Sequence, residues 1–368
     1  MRFYSSSFYL SFLIWTLRKI WPLCMIFFLS SCAYNATRKP VLYTEKHLQN
    51  ITQLTFDGDN GEAYFSPDGK KLIYQSNREG YACDKIWMMN IDGSDKHLVS
   101  PAHGAHTCSY FFPDNKKIIF ASTSHLPGDC PPKPKMPQAA GHVWPLYPYD
   151  IFVASTDGSN LVKITDNPAY DAEPIVSSDG KRVVFGSVRN GDFDVYVMNS
   201  DGSNVSRLTS RFGYDGGPWF SPDGNKIVWR AWYPETEEEK ALWNDCMTNN
   251  YIVPVPLDLW VMNADGSDKK MVLHNGATNF APSWHPDGKR IIFSSNMDDW
   301  REDQKRYGHN FELYMINIDG TGLDRITNNK VFDGFPMFSA DGKKLAFASN
   351  RNPEKPRATD IFIADWVE

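Results

Sequence analysis

One four-residue turn, written six times, constrains this chain more than any other feature. Ser66-Pro67-Asp68-Gly69 recurs as Phe112-Pro113-Asp114-Asn115, Ser177-Ser178-Asp179-Gly180, Ser221-Pro222-Asp223-Gly224, His285-Pro286-Asp287-Gly288 and Ser339-Ala340-Asp341-Gly342. Successive copies lie 46, 65, 44, 64 and 54 residues apart, which fits a core unit near 44 residues carrying insertions. A β-branched or aromatic run follows each turn, as in Leu72-Ile73-Tyr74 or Val183-Val184-Phe185, and reads as a strand. A second run comes later, such as Val195-Tyr196-Val197-Met198, and in five copies Asp-Gly follows it. Asp-Gly between apolar runs is a strong hairpin signal, because glycine accepts positive φ without steric cost.

Each unit is therefore a four-stranded meander, and six of them predict an all-β fold, a six-bladed β-propeller over residues 50–368, in which radial packing leaves only short edges. The sixth copy stops after its third strand at Glu368, while Ile51-Thr52-Gln53-Leu54-Thr55 stands alone ahead of the first. Donating this N-terminal strand to the last blade would close the ring. The stretches "SPDGKKLIYQSNREG" and "SDGKRVVFGSVRNGDFDVYVMNSDGSNVSRLT" resemble the TolB-type propeller repeat. The resemblance covers roughly residues 50–368 and implies a six-bladed propeller of the periplasm or cell envelope that binds proteins. TolB itself carries an extra α/β domain ahead of its propeller, for which there is no room between Cys32 and Asn50.

Apolar residues make up 42% and aromatics 14% of the 368 residues, enough for a large core. A net charge of −6 argues against a nucleic-acid partner, which would call for a basic face. Residues 1–32 read as an export signal: Arg18 and Lys19, an apolar run Ile20–Leu29, then Ser30-Ser31-Cys32. Leu29-Ser30-Ser31-Cys32 also looks like a bacterial lipobox, in which Cys32 is lipidated and anchors the chain to a membrane, with 33–49 as a tether. Ala33 in place of an Asp favours the outer over the inner membrane. Cys83, Cys108, Cys130 and Cys246 would then remain in an oxidising compartment, where three full pairings are open.

In such a meander the Pro-Asp-Gly and Asp-Gly turns share one plain face. The opposite face receives all three insertions, at 124–149, 233–256 and 297–310, rich in Trp, Tyr and Pro. Long loops on a rigid scaffold commonly carry function. Trp144, Tyr147, Trp232, Trp243 and Trp300 are accordingly expected on a surface that binds a protein or peptide.

Six residues before each Pro-Asp-Gly-type turn stand Asn60, His106, Asp171, Asp215, Asn279 and Asp333, and two residues later stand Glu62, Cys108, Glu173, Gly217, Ala281 and Phe335. These lead into the innermost strands and are expected to ring the channel mouth. There the oxygens would suit calcium or another divalent cation, or would hydrogen-bond between blades. Arg78, Arg189 and Arg351 end second strands, and Arg189 and Arg351 are expected to brace hairpins against Asp194 and Asp360. An α/β-hydrolase partner domain would need a Gly-x-Ser-x-Gly elbow, which the sequence lacks. His103, His106, His125, His142 and His309 fall on the insertion face. They leave open a metal-dependent hydrolase or lyase at the acidic mouth, as in certain pectate-degrading propellers.

Overall fold

Each Pro-Asp-Gly turn closes on itself through its own side chains. Ser66 Oγ donates to Asp68 Oδ1 (2.7 Å), the Lys70 N–H donates to the same oxygen (3.2 Å), and the Lys71 N–H donates to Ser66 Oγ (2.9 Å). Gly69 sits at φ +68°, where a Cβ would be strained. The hydroxyl–carboxylate bond recurs at Asp179, Asp223 and Asp341 and holds these carboxyls below their usual range. In the Asp-Gly turns the acid accepts from the residue two positions on, as Asp92 Oδ1 does from the Ser94 N–H (2.9 Å).

In the computed structural model, residues 45–135, 143–303, 305–352, 354 and 358–368 are described. The expected signal segment, the lipidation site Cys32, most of the 33–49 tether and His142 lie outside them. The turns join strands a to d of six antiparallel blades. Blade 1 comprises Asp59–Phe65, Lys71–Asn77, Lys85–Asn90 and His97–Leu98. Blade 3 comprises Asp171–Val176, Arg182–Ser187, Asp194–Asn199 and Ser206–Arg207. Blades 2, 4 and 5 repeat the order, with strands a at His106–Phe111, Tyr214–Phe220 and Asn279–Trp284. Blade 6 takes Asp333–Phe338, Lys344–Ser349 and Asp360–Trp366 from the C-terminus and Leu48–Gln53 as its fourth strand. The ring thus closes as expected, with Thr52 opposite Ile363 and Gln53 opposite Phe362.

The core lies between blades. Each strand b contributes one aromatic side chain with no exposed surface: Tyr74, Phe120, Phe185, Trp229, Phe293 and Phe347. Burying each stabilises the ring by about 1.5–3 kcal/mol. A threonine after strand d ties the blade together. Thr55, Thr165, Thr209 and Thr327 each accept from a backbone N–H of strand c. Each also donates to the buried acid that opens that strand: Asp360, Asp150, Asp194 and Glu312 respectively.

The arginines do brace the blades, but with other partners than expected. Arg189 pairs with Asp171 (2.8 Å) and Arg351 with Asp333 (2.6 Å) and Glu45 (3.3 Å). Asp194 takes Arg207 instead, and Asp360 accepts from Gln53 and Thr55. The reason is reach: each arginine folds back past its own Ser187 or Ser349 toward strand a.

Candidate functional site

The insertions of blades 2 and 4 fold into one cap. Residues 237–249 form helix α1 (Glu237–Asn249), started by a capping box in which Thr236 and Glu239 bond each other's backbone N–H. Asn250 ends it in the left-handed conformation. The chain then pairs Tyr251–Ile252 with Trp144–Pro145 of the blade 2 insertion, so the two insertions grip each other across blade 3. Their apolar side chains form a core with Leu146, Trp243, Cys246, Tyr251, Val253 and Phe193, the last from blade 3. Trp243 Nε1 donates to Asp192 Oδ1 of blade 3 (2.7 Å). A disulfide from Cys83 to Cys130 pins the blade 2 insertion to blade 1, leaving Cys108 and Cys246 as free thiols.

This placement sorts the expected loop-face aromatics. Trp243 is 1% exposed and serves as the anchor of the cap, with Trp232 packed against it at 6.0 Å. Tyr147 is half-buried and packs edge-on against Tyr149. Trp144 (46% exposed) and Trp300 (47% exposed) present their surfaces outward. The blade 5 insertion forms a short hairpin, Trp300–Arg301 with Arg306–Tyr307.

The six residues that open the strands a do not line a solvent mouth. Asn60, His106, Asp171, Asp215, Asn279 and Asp333 are each 0–1% exposed and bond within and between blades. Asn60 donates to Thr359 O of blade 6 (3.1 Å). Asp171 takes Ser187 Oγ (2.6 Å) and Arg189. Asp215 accepts from Trp229 Nε1 and Tyr233 Oη (both 2.7 Å). Burial pushes the Asp215 carboxyl up to about 7 and the His106 imidazole down to about 3. A strand-start position faces the seam between blades rather than the channel, and Asp215 Oδ2 and Asp333 Oδ1 are buried there without a hydrogen-bond partner.

The channel is lined by the next set. In every strand a the register slips by a bulge, and the residue there has positive φ: Glu62, Cys108, Glu173, Gly217, Ala281 and Phe335. Glu173 accepts from the Gly217 N–H (2.8 Å) and pairs with Arg230 (2.7 Å), whose Nε donates to Tyr214 Oη (3.0 Å). Glycine leaves this network room. A Cβ on Gly217 would stand 2.7 Å from Arg230 Nη1, and one on Gly186 would stand 2.8 Å from Glu173 Oε2. Glu62 faces Cys108, and burial raises its carboxyl to about 7.

Tyr64, Tyr110 and Trp219 meet edge to face at 5.0–6.1 Å and plug the channel. On the turn side of this plug lies an apolar funnel of about 330 Å³ lined by all six blades. On the insertion side, Phe280, Phe311, Phe332 and Phe335 form a half-exposed aromatic wall over blades 5 and 6. The candidate histidines stay apart: His103 contacts Ser124 O and His125 contacts Asp150. Among the described residues no three His, Cys, Asp or Glu side chains are brought together as metal ligands.

Residues 148–241 match the model of the TolB beta propeller domain. An uncharacterised protein of Agrobacterium fabrum is 28% identical over 137 residues, 37% of this chain and 41% of that protein. A Tol-Pal system protein TolB of Francisella tularensis is 32% identical over 107 residues, 29% of this chain and 22% of that protein. The chain thus spans less than half the length of these curated relatives. Among solved structures, a TolB-type protein from Agrobacterium tumefaciens superposes with a TM-score of 0.55 at 17% identity, over 86% of this chain and 97% of that one. An oligogalacturonate lyase from Vibrio parahaemolyticus does so at 0.53 and 13%, over 88% and 95%. At these identities the superpositions speak for the fold alone. By its repeat and its six closed blades the chain is a six-bladed β-propeller, and residues 148–241 of it are similar to the TolB beta propeller domain.

Proposed function

We propose that this chain is an exported cell-envelope protein that binds a protein or peptide at its insertion-rich face. The observation that carries this reading is the outward exposure of Trp144 and Trp300 on that face, on elements built beyond the blades. Tryptophan is enriched among the side chains that dominate binding energy, and an ordered cap loses little entropy on docking. The Tol-Pal naming of its relatives supports an envelope setting. The Leu29-Ser30-Ser31-Cys32 sequence supports a lipid anchor at Cys32, facing the periplasm or the outer membrane. The lyase reading finds no ligand set among the described residues and draws only on a shared fold.

A photo-crosslinking residue placed at Trp144 or Trp300 in cells tests the binding face, with Lys181 on the turn face as control. Discrete adducts from the two tryptophan positions alone are expected; equal adducts from Lys181, or none from either tryptophan, would sink the reading. The anchor is tested separately. Cys32→Ser should move the protein from the membrane fraction to the soluble fraction, and unchanged membrane association would remove lipidation from the proposal.

A further inference from the structure

Five of the six blades open strand c with an acid: Asp150, Asp194, Asp258, Glu312 and Asp360. Blade 1 opens it with Lys85, which is 1% exposed. The tie that follows strand d changes with it. Ser100 still accepts from the strand c backbone, at the Ile86 N–H (3.0 Å), but its hydroxyl turns to Pro101 O (3.4 Å), because a lysine offers it no oxygen. The position thus carries the charge opposite to that of its counterparts, and the charge is spent elsewhere. Lys85 Nζ donates to Gly104 O and stands 3.5 Å from Cys83 Sγ, with the Tyr81 ring 5.6 Å away. It makes no ion pair among the described residues; Asp84 and Asp129 act on it from beyond that range, and burial holds its ammonium below the usual lysine pKa.

A buried ammonium without a paired carboxylate is costly. Among the described residues the chargeable group in contact with it is the sulfur of Cys83, which is one half of the disulfide to Cys130. In the disulfide that sulfur carries no charge and is only a weak acceptor. As a thiolate it would pair with the ammonium at the separation already set. The other groups on Cys83 Sγ are Gly104 O and Asp129 O, at 3.4 and 3.3 Å. Both are carbonyl oxygens that repel an anion, so the stability of a Cys83 thiolate rests on Lys85. The two halves of the bridge also differ in access. Cys130 lies within the largely exposed stretch 127–135, whereas Cys83 leads into the strand that buries Lys85.

We propose that Cys83–Cys130 is an exchange-active disulfide, opened by an external dithiol that attacks Cys130, with Lys85 holding the Cys83 thiolate that departs. The attacking thiolate forms a bond to Cys130 Sγ, the bond between the two cysteines breaks, and its electron pair leaves on Cys83 Sγ beside the ammonium. The second thiol of the reagent, once it has lost its proton to water, attacks its partner sulfur in the mixed disulfide. Cys130 leaves as a thiolate and takes a proton from water. Two electrons pass from the dithiol, which ends as a disulfide, to the protein, which ends with Cys83 as a thiolate and Cys130 as a thiol. The covalent pin between blade 1 and the blade 2 insertion is then present only in the oxidised protein, while the bond from the Gly104 N–H to Asp129 O (2.9 Å) remains in both states.

The test is the rate at which dithiothreitol reduces the bridge in the purified folded protein, unaltered and as Lys85→Met, which removes the charge and keeps most of the side chain. A thiolate leaves faster when its pKa is lower, and a neighbouring lysine lowers it. Lys85→Met should therefore slow reduction by about tenfold or more, and the two proteins should react alike once unfolded in guanidinium chloride. Equal rates in the folded proteins overturn the proposal. A second measurement stands even if Lys85→Met does not fold. Glutathione, a monothiol, halts the reaction of the unaltered protein at the mixed disulfide, and N-ethylmaleimide then marks the thiol released. Peptide mapping should find glutathione on Cys130 and maleimide on Cys83. Glutathione on Cys83 instead, or a bridge that resists both thiols until the protein unfolds, overturns it equally.

Discussion

Two buried groups at equivalent places in blades 2 and 4 make opposite demands on pH. His106 is neutral in the folded protein, held near 3 chiefly by burial, with Nε2 on His103 O and its ring against Phe120. Its folded pKa lies below that of the unfolded chain, so its contribution is complete above about 6.5 and is lost as pH falls toward 3. Asp215 is the reverse. Burial raises it to about 7, so between that pH and its unfolded value near 3.8 the folded state holds the extra proton and stability rises as pH falls. His106→Asn, which installs the residue that blades 1 and 5 carry there as Asn60 and Asn279, should flatten the loss of stability below pH 6. Asp215→Asn should remove a gain of at most about 1.4 kcal/mol per pH unit between pH 7 and 5. Urea midpoints measured from pH 4 to 8 check both, and slopes identical to those of the unaltered protein would contradict the assignments. The spacing of these residues was legible in the sequence, because it is locked to the turn. Their burial was not. Whether a polar residue on an inner strand faces the channel or the seam depends on the bulge at the following residues, and the six bulge residues, Glu62, Cys108, Glu173, Gly217, Ala281 and Phe335, share no one side chain that would announce it.

At the scale of elements, the blades were readable because turn chemistry and a period of two fix them locally. The closing strand was readable from its likeness to other fourth strands, although the strand itself runs Leu48–Gln53 and Thr55 lies beyond it as the blade's tie. The cap was not read. Thr236 and Glu239 already spelled a capping box, and three glutamates in the first turn favour the positive end of a helix, but the segment stood among repeats of strands. Its pairing with Trp144–Pro145 joins chain segments about a hundred residues apart, which no local pattern encodes. Trp243, expected to meet a partner, holds the cap down instead. Trp243→Ala should cost the cap about 3–5 kcal/mol and leave the blades near their normal thermal stability. Hydrogen exchange should then rise over 144–149 and 237–257 while strands b and c stay protected. Uniform loss of protection would mean that the cap and ring are one cooperative unit.

At the scale of the whole molecule, the ring depends on joining its two ends. Glu45, Arg351 and Asp333 form a buried group in which one arginine answers two carboxylates, so the residues just ahead of the closing strand are fastened to blade 6. Deleting 45–53 would strip blade 6 of its fourth strand and leave Arg351 short of a partner. A fall in melting temperature of more than 10 °C is expected, on the order of several kcal/mol in a domain this large. A peptide of residues 45–55 added in trans should recover part of it, and an unchanged melting temperature would refute the closure as a source of stability. A propeller whose blades meet their neighbours along seams and one another only at the Tyr64, Tyr110 and Trp219 plug resembles a chain of dominoes bent into a circle, and can come apart at a seam. The grip between the blade 2 and blade 4 insertions removes that freedom from one side of the circle, because the two seams bordering blade 3 can no longer open independently. The disulfide from Cys83 to Cys130 extends the same restraint toward blade 1. When this ring yields under load or heat, the break should run through the unstapled seams around blades 5 and 6, and blades 1 to 4 should survive it as a single arc.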